Sequence, residues 1–249
     1  MRTFERKLFS IQMVAEATFS TYGLIQGFHM IDGSIWSALL TALVFTIAPA
    51  AAQSPHTHQH SFGDAAKWAQ VFDDPQRDAW QKPHEVISAL ALKPDAVVAD
   101  IGAGTGYFAA RFAHMVPRGR VYAVDTEPDM VKHLTERARR ENLANLTAVK
   151  GEPADPRIPA KADLVIMVDV FHHVDDRERY FAKLRDSLKP GGRVAIIDFR
   201  IDSPEGPPRA ARIAPEQVKA ELARAGYTLV GEHGFLPRQY FLVFGAKGT

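Results

Sequence analysis

The chain has 249 residues, and its 30 Lys and Arg against 29 Asp and Glu give a formal net charge of +1. This near-neutral balance gives no bulk attraction for nucleic acid or an anionic membrane, so we expect a small-molecule substrate and no nucleic acid partner. The absence of cysteine excludes thiol catalysis and disulfides, and a composition of 46% hydrophobic and 24% charged residues excludes a disordered chain.

An uncharged segment, 35–52, stands out near the start of the chain. Its apolar part before Pro49 is about 14 residues long, roughly 21 Å as a helix, against roughly 30 Å of hydrocarbon in a bilayer. Ala-x-Ala patterns end at Ala50 and Ala52, as before a signal cleavage site. We therefore predict that 1–52 is a signal peptide or a membrane anchor and that the protein is exported to the periplasm or anchored in the inner membrane. Because the basic residues lie far upstream, a buried helix of a cytoplasmic protein stays an alternative.

Two short segments follow. The first, 53–63, is a polar spacer in which histidines alternate with polar residues: His56, His58 and His60. It captures a metal loosely or is a plain spacer, and no other metal site is predicted. The second, 64–94, combines aromatic residues at near-helical spacing with two prolines: Trp68, Phe72, Pro75, Trp80 and Pro83. It predicts one or two short helices that cap the domain beyond.

From 95 to 249, apolar β-branched runs alternate with amphipathic stretches. The strand candidates are Val97–Ile101, Arg120–Asp125, Leu146–Lys150, Asp163–Val168, Arg193–Phe199, Thr228–His233 and Tyr240–Phe244. The helix candidates are Gly106–Met115, Pro128–Glu141, Arg177–Leu188 and Pro215–Ala225. This alternation predicts a doubly wound α/β fold with a mostly parallel, seven-stranded sheet. The last two strands lack room for a helix between them, so they should form an antiparallel hairpin at one end of the sheet.

The first strand leads through Asp100 into the glycine-rich turn 102–106 and then a helix. A dinucleotide fingerprint needs its third glycine one residue later, where Tyr107 stands, so NAD and FAD are disfavoured. A carboxylate at Asp100 suits an ammonium group better than a pyrophosphate. Asp125 ends the second strand, where a carboxylate accepts hydrogen bonds from both hydroxyls of a ribose. A ribose joined to an α-amino acid describes S-adenosylmethionine.

The runs ADIGAGTGYF, YAVDTEP and ADLVIMVDVFHHVDDRERYFAKLRDSLKPGGRVAIIDF resemble the class I S-adenosylmethionine-dependent methyltransferases. The resemblance covers roughly 85–244 and is strongest to the ubiquinone/menaquinone-biosynthesis-like, small-molecule branch. It implies a Rossmann-like fold and these cofactor contacts: Asp100, Gly102, Ala103, Gly104, Thr105, Gly106, Asp125, Thr126, Glu152 and Asp169. Glu152 or Asp155 would replace an acid that the family often has after the third strand. A solvated acidic loop is the alternative there.

The resemblance places the loop after the fourth strand opposite the transferred methyl group, and its candidate catalytic residues are Asp169, His172 and His173. A histidine there acts as a base or orients the substrate, since imidazole titrates in the useful range. Alternatively, one histidine packs under the next helix and the other caps the backbone. Candidates for the substrate cleft are Trp80, Gln81, Tyr107 and Tyr240, although an aromatic residue in the cap or a strand can equally be a packing residue.

Two later loops have their own local chemistry. In LKPGGR, we expect Leu188 to close a helix, Lys189 and Pro190 to end it, and the two glycines to turn the chain into the next strand. The Pro-rich, basic stretch 200–212 either receives an anionic or acyl substrate or is a solvated loop.

The leading hypothesis is an S-adenosylmethionine-dependent methyltransferase that acts on a small molecule. A non-catalytic cofactor-binding or sensor protein of the same fold is the runner-up, and an NAD-dependent oxidoreductase is a third. The sequence leaves the acceptor and the oligomeric state open. Export also conflicts with a methyl donor made in the cytosol, unless the domain is anchored inside or translation starts later.

Overall fold

A seven-stranded sheet organises the part of the chain that the computed structural model describes, residues 64–248. The predictions for 1–52 and for the spacer 53–63 lie outside these residues. Within 64–248, no helix has the length and apolarity that crossing a membrane requires.

The strands follow the predicted doubly wound order. They are β1 (Val97–Ile101), β2 (Arg120–Asp125), β3 (Leu146–Lys150), β4 (Ala162–Val168), β5 (Leu188–Phe199), β6 (Tyr227–His233) and β7 (Gln239–Ala246). Their order across the sheet is β3-β2-β1-β4-β5-β7-β6, and β1 to β5 are parallel. β7 runs antiparallel between β5 and β6, which confirms the predicted terminal hairpin. The carboxyl ends of the five parallel strands therefore meet at one edge of the sheet.

Helices cover both faces of the sheet. They are α1 (Ala65–Phe72), α2 (Arg77–Gln81), α3 (Pro83–Leu90), α4 (Tyr107–Met115), α5 (Pro128–Arg140), α6 (Arg177–Leu184) and α7 (Pro215–Arg224). One buried cluster joins α3 and α4 to the sheet through Leu90 and Phe112, and a second joins α6 and α7 through Phe181 and Leu222. Burial on both faces explains why the central strands are almost continuously apolar.

The cap segment differs from the sequence prediction in its number of helices. It contains three short helices, where one or two were expected. Pro83 is the first residue of α3, so it begins a helix instead of only interrupting one. Lys82, with φ of +46°, is the joint between α2 and α3.

The interpretation of LKPGGR is wrong at its first residue. α6 ends at Leu184, a 3₁₀ turn spans Arg185–Ser187, and Leu188 opens β5 instead of closing the helix. Leu188 pairs with Ala162 of β4, and a register shift follows between Ala162 and Leu164. The buried Leu188 side chain packs in the second cluster, so tertiary packing sets the helix end ahead of the proline.

Candidate cofactor and acceptor site

The glycine turn joins β1 to α4 and is tied to the neighbouring strand β2. The Val124 carbonyl accepts hydrogen bonds from Gly102 N at 2.8 Å and Ala103 N at 3.0 Å. Gly102 has a φ of +69°, and a Cβ there would lie 2.4 Å from Val170 Cγ2, so the position requires glycine. The turn thus lies directly against the loop that follows β4.

Asp125 ends β2 and holds the middle of the same turn. Its Oδ2 accepts a hydrogen bond from Gly104 N at 2.8 Å, and its Oδ1 accepts one from Glu127 N at 2.9 Å. Burial raises the pKa of Asp125, against the backbone N–H groups of Glu127 and Gly104, which favour the ionised form. The acid predicted to meet a ribose is therefore buried at the turn, and Thr126 follows it on the surface.

Asp100 lies at the end of β1 with 3% of its surface exposed. Burial raises its pKa to about 7, against the opposing charge of Arg77. Such a carboxyl group is poised between its two protonation states near neutral pH, and a bound cation would favour the ionised one.

Two side chains of α2, Arg77 and Gln81, reach this edge of the sheet, where they lie near Asp169 and Gln239. Gln81 is fully buried, and its Nε2 donates to Asp169 Oδ2 and to Gln239 Oε1, both at 3.2 Å. Gln239 Nε2 donates to Asp169 Oδ1 at 2.5 Å. Arg77 Nη2 lies 4.0 Å from Asp169 Oδ2. The cap is therefore hydrogen-bonded to the ends of β4 and β7 through Asp169.

Asp169 follows β4 with a φ of +59°. Burial and the charge of Asp198 raise its pKa to about 6, while Arg77 works in the opposite direction. The left-handed backbone conformation turns the chain sharply out of the strand. Asp169 therefore begins the loop that carries the two histidines, directly before Val170, which faces Gly102 of the turn.

The structure separates the two predicted histidines. His172 is buried, and its Nδ1 lies 3.0 and 2.8 Å from Asp198 Oδ1 and Oδ2 at the end of β5. His173 is exposed, and its ring centroid lies 4.1 Å from that of His172. Burial works to lower the pKa of His172, but the hydrogen bond and charge of Asp198 outweigh it and raise the pKa. Asp198 was missed in the sequence, although, like Asp125, it is an acid near the end of an apolar strand.

The remaining predicted cleft residues lie around this edge. The Tyr107 ring lies between the guanidinium groups of Arg77 and Arg111, each 4.0 Å from the ring centroid, and its hydroxyl donates to Asp78. Trp80 packs on Phe199 with a centroid distance of 5.8 Å. The Tyr240 hydroxyl is buried and has no hydrogen-bond partner among residues 64–248. No comparison tests whether these side chains touch a substrate, so that part remains a prediction.

In two other predicted regions, the acidic loop after β3 and the stretch 200–212, charged side chains contact other groups on the protein surface. Glu152 is exposed and pairs with Arg157, and Asp155 pairs with Lys183 at 2.7 Å. In the stretch 200–212, Arg212 donates to backbone carbonyl groups of its own loop, including Ser203 O at 2.5 Å. Arg212 therefore orders the backbone of this loop.

Comparison with known proteins shows which family and which solved structures this chain resembles. Residues 99–194 match the family described as "Methyltransferase domain". The matched region, less than half of the chain, is similar to methyltransferase domains. A solved S-adenosylmethionine-dependent methyltransferase from Aquifex aeolicus is 26% identical, with a TM-score of 0.68 over 74% of this chain and 98% of that chain. The predicted class I methyltransferase fold and family resemblance are confirmed.

The curated relatives match over shorter stretches. A malonyl-[acyl-carrier protein] O-methyltransferase from Hahella chejuensis is 32% identical over 39% of this chain and 34% of its own length. A ubiquinone/menaquinone biosynthesis C-methyltransferase from Ralstonia pickettii is 29% identical over 45% of this chain and 47% of its own length. The chain thus spans between a third and a half of these relatives.

The residues at the turn are compatible in their chemistry with S-adenosylmethionine. Asp100 offers a carboxyl group of the kind that pairs with an ammonium group, and Asp125 offers carboxylate oxygens of the kind that accept from ribose hydroxyls. That these residues contact the cofactor stays a prediction. The Thr105 hydroxyl is buried without a partner among the described residues, and a polar ligand group at the turn would satisfy it. Within 64–248, no group of three or more His, Asp or Glu side chains is arranged to hold a metal ion.

Proposed function

We propose that this protein transfers the methyl group of S-adenosylmethionine to a small-molecule acceptor whose attacking atom must lose a proton. The observation that carries this proposal is the buried His172–Asp198 pair, which lies beside Asp169. Both lie at the edge of the sheet where the carboxyl ends of the parallel strands meet the glycine turn, called the cofactor edge below. When bound, S-adenosylmethionine supplies a methyl group already activated by a positively charged sulfur. The protein then contributes alignment, exclusion of water and a place for the proton.

The proton balance assigns a role to each partner of the pair. Nδ1 of His172 is engaged by Asp198, so Nε2 is the nitrogen that accepts the proton from an acceptor hydroxyl or acidic C–H. The acceptor atom would form its bond to the methyl carbon while the sulfur–methyl bond breaks, and the donor sulfur would leave as a neutral thioether, which balances the transfer. Asp198 stabilises the imidazolium that forms and fixes the ring orientation.

The relatives support both kinds of attacking atom, because one is named an O-methyltransferase and another a C-methyltransferase. A carboxylate acceptor needs no base at neutral pH, whereas a phenol, with a pKa of about 10, does. The His172–Asp198 pair therefore favours a phenol-like or carbon-acid acceptor over a carboxylate.

The test is a methyl-transfer screen on phenols, carbon acids and carboxylic acids with the wild-type protein and His172→Gln. We expect transfer to a protonated acceptor to fall about 100-fold or more in the variant, the usual size of a base contribution. His173→Gln is the matched control, since it removes the neighbouring exposed histidine, and it should retain most of the activity. Equal losses in both variants, or full activity of His172→Gln, would contradict the assignment.

We also propose, from the sequence of 1–52, that the domain is exported or anchored at the inner membrane. Cell fractionation with sequencing of the mature amino terminus tests this proposal. A new terminus after Ala50 or Ala52 supports export, an intact membrane-bound chain supports an anchor, and an intact chain in the cytoplasmic fraction contradicts both.

A further inference from the structure

Arg77 of α2 lies beside the glycine turn, and the acid that faces it, Asp169, is not within hydrogen-bond distance. Its side chain is 14% exposed, so its charge is largely removed from solvent. The acids whose charges act on it are Asp73, Asp100 and Asp169, and its Nη2 lies 4.0 Å from Asp169 Oδ2.

The guanidinium group of Arg77 is held in place by contacts along one side. Nη1 donates to the Phe72 carbonyl at 2.7 Å, and Nε donates to Gln81 Oε1. The group stacks on the ring of Tyr107, the first residue of α4 after the turn, with Cζ 4.0 Å from the ring centroid. Arginine has five N–H donors, so these two hydrogen bonds leave donor capacity beside the turn.

The cap brings this cation close to the cofactor edge. A Cβ on Gly104 would lie 3.3 Å from the Phe72 ring, so the end of α1 lies against the turn. Phe72 also supplies the carbonyl that fixes Arg77. The end of α1 and the beginning of α2 therefore approach the turn together.

An α-amino acid group brings two opposite charges to this place. Asp100, Asp125 and Asp169 are all carboxyl groups, and they would repel the carboxylate of such a ligand unless a cation faced it. A guanidinium fork matches a carboxylate in shape and charge. Arg77 is the buried cation that meets this need.

We propose that Arg77 binds the α-carboxylate of S-adenosylmethionine, so that the cap contributes directly to the cofactor site. This inference rests on the proposed cofactor. It makes α2 a binding element as well as a cover, and it couples the order of the cap to cofactor binding.

The test compares two ligands by calorimetry on the full chain: S-adenosylmethionine and its decarboxylated analogue, which lacks only the α-carboxylate. The wild-type protein should bind S-adenosylmethionine about 10- to 100-fold more tightly than the analogue, the range of a charge-assisted hydrogen-bonded pair. Arg77→Ala should lose this preference by weakening S-adenosylmethionine alone. Arg77→Lys, which keeps the charge without the fork, should show an intermediate preference.

Arg111→Ala is the matched control, because Arg111 stacks on the other face of Tyr107 but pairs with the exposed Asp78. It should leave the ligand preference unchanged. Equal weakening of both ligands by Arg77→Ala would assign Arg77 a structural role. Tighter binding of both ligands would mean that Arg77 occupies the acidic side chains and hinders binding. Either result overturns the proposal. Absence of S-adenosylmethionine binding by the folded wild-type protein would overturn the cofactor itself, which is a separate outcome.

Discussion

Asp198→Asn removes one charge from the buried pair while nearly preserving the side-chain shape. His172 Nδ1 lies 3.0 and 2.8 Å from the two oxygens of Asp198, and the two side chains are only 5% and 3% exposed, so solvent screens their interaction little. A hydrogen bond to a charged group contributes about 1.5–3 kcal/mol, or roughly 10- to 150-fold in rate. We expect methyl transfer to a protonated acceptor to slow by this factor.

The sign of the pH effect follows from the same pair. His172 must be neutral to accept a proton, and Asp198 raises its pKa above the ordinary value. In Asp198→Asn the pKa of His172 should fall, so the acid limb of the pH–rate profile should move to lower pH. Histidine NMR titration of the apoprotein measures the same change without an acceptor.

Glu232→Gln is the control for this experiment, since it neutralises an exposed carboxylate paired with Lys219. It should change the rate by less than about twofold, as expected for a surface ion pair. The reasoning is refuted if Asp198→Asn leaves both the rate and the His172 titration unchanged. It is also refuted if the loss of rate only follows a loss of cofactor affinity.

Three further outcomes are expected. Cofactor affinity should fall as the pH is lowered through about 7, because Asp100 then becomes protonated and no longer attracts an ammonium group; calorimetry at several pH values that shows constant affinity would contradict this. Gly102→Ala should lower the free energy of unfolding, measured in urea, by roughly 2–4 kcal/mol, because the new Cβ would overlap Val170. Gly191→Ala is the control: its φ is +74° but no atom lies within 4 Å of the new Cβ, so the loss should be only about 1 kcal/mol. Tyr240→Phe should leave the free energy of unfolding within about 0.5 kcal/mol of the wild type, since the lost hydroxyl has no partner in the described structure, and a cost above about 1 kcal/mol would mean that it has one.

The sequence predicted the bounds of the first three strands, including β3 at the edge of the sheet, better than those of the buried strand β5. The bounds of β1, β2 and β3 agree with the candidates residue for residue, because each is an apolar run between charged or turn residues. The start of β5 was placed too late, at Arg193 instead of Leu188, because a Lys-Pro-Gly-Gly sequence is typical of a turn. Pairing with Ala162 extends the strand through that sequence, and local chemistry does not reveal such a contact.

The sequence alone placed the glycine turn and Asp125 at one edge of the sheet, but it did not show which cap residues meet that edge. The glycine turn and Asp125 are adjacent to strand ends, where position in the chain already implies position at the edge. Arg77 and Gln81 reach the same edge from the cap, and Gln81 lies 88 residues from its partner Asp169. No local sequence pattern connects residues at that separation, so the hydrogen bonds between the cap and the sheet could be found only from the folded structure.

The most direct test of the central claim is calorimetry of the full chain with S-adenosylmethionine and with NAD, using the wild-type protein and Asp125→Ala. We expect the wild type to bind S-adenosylmethionine more tightly than NAD, and we expect Asp125→Ala to weaken S-adenosylmethionine binding substantially, because the ribose loses its carboxylate partner. Tighter binding of NAD, or an unchanged affinity of Asp125→Ala for S-adenosylmethionine, would contradict the assignment of this edge as the methyl-donor site.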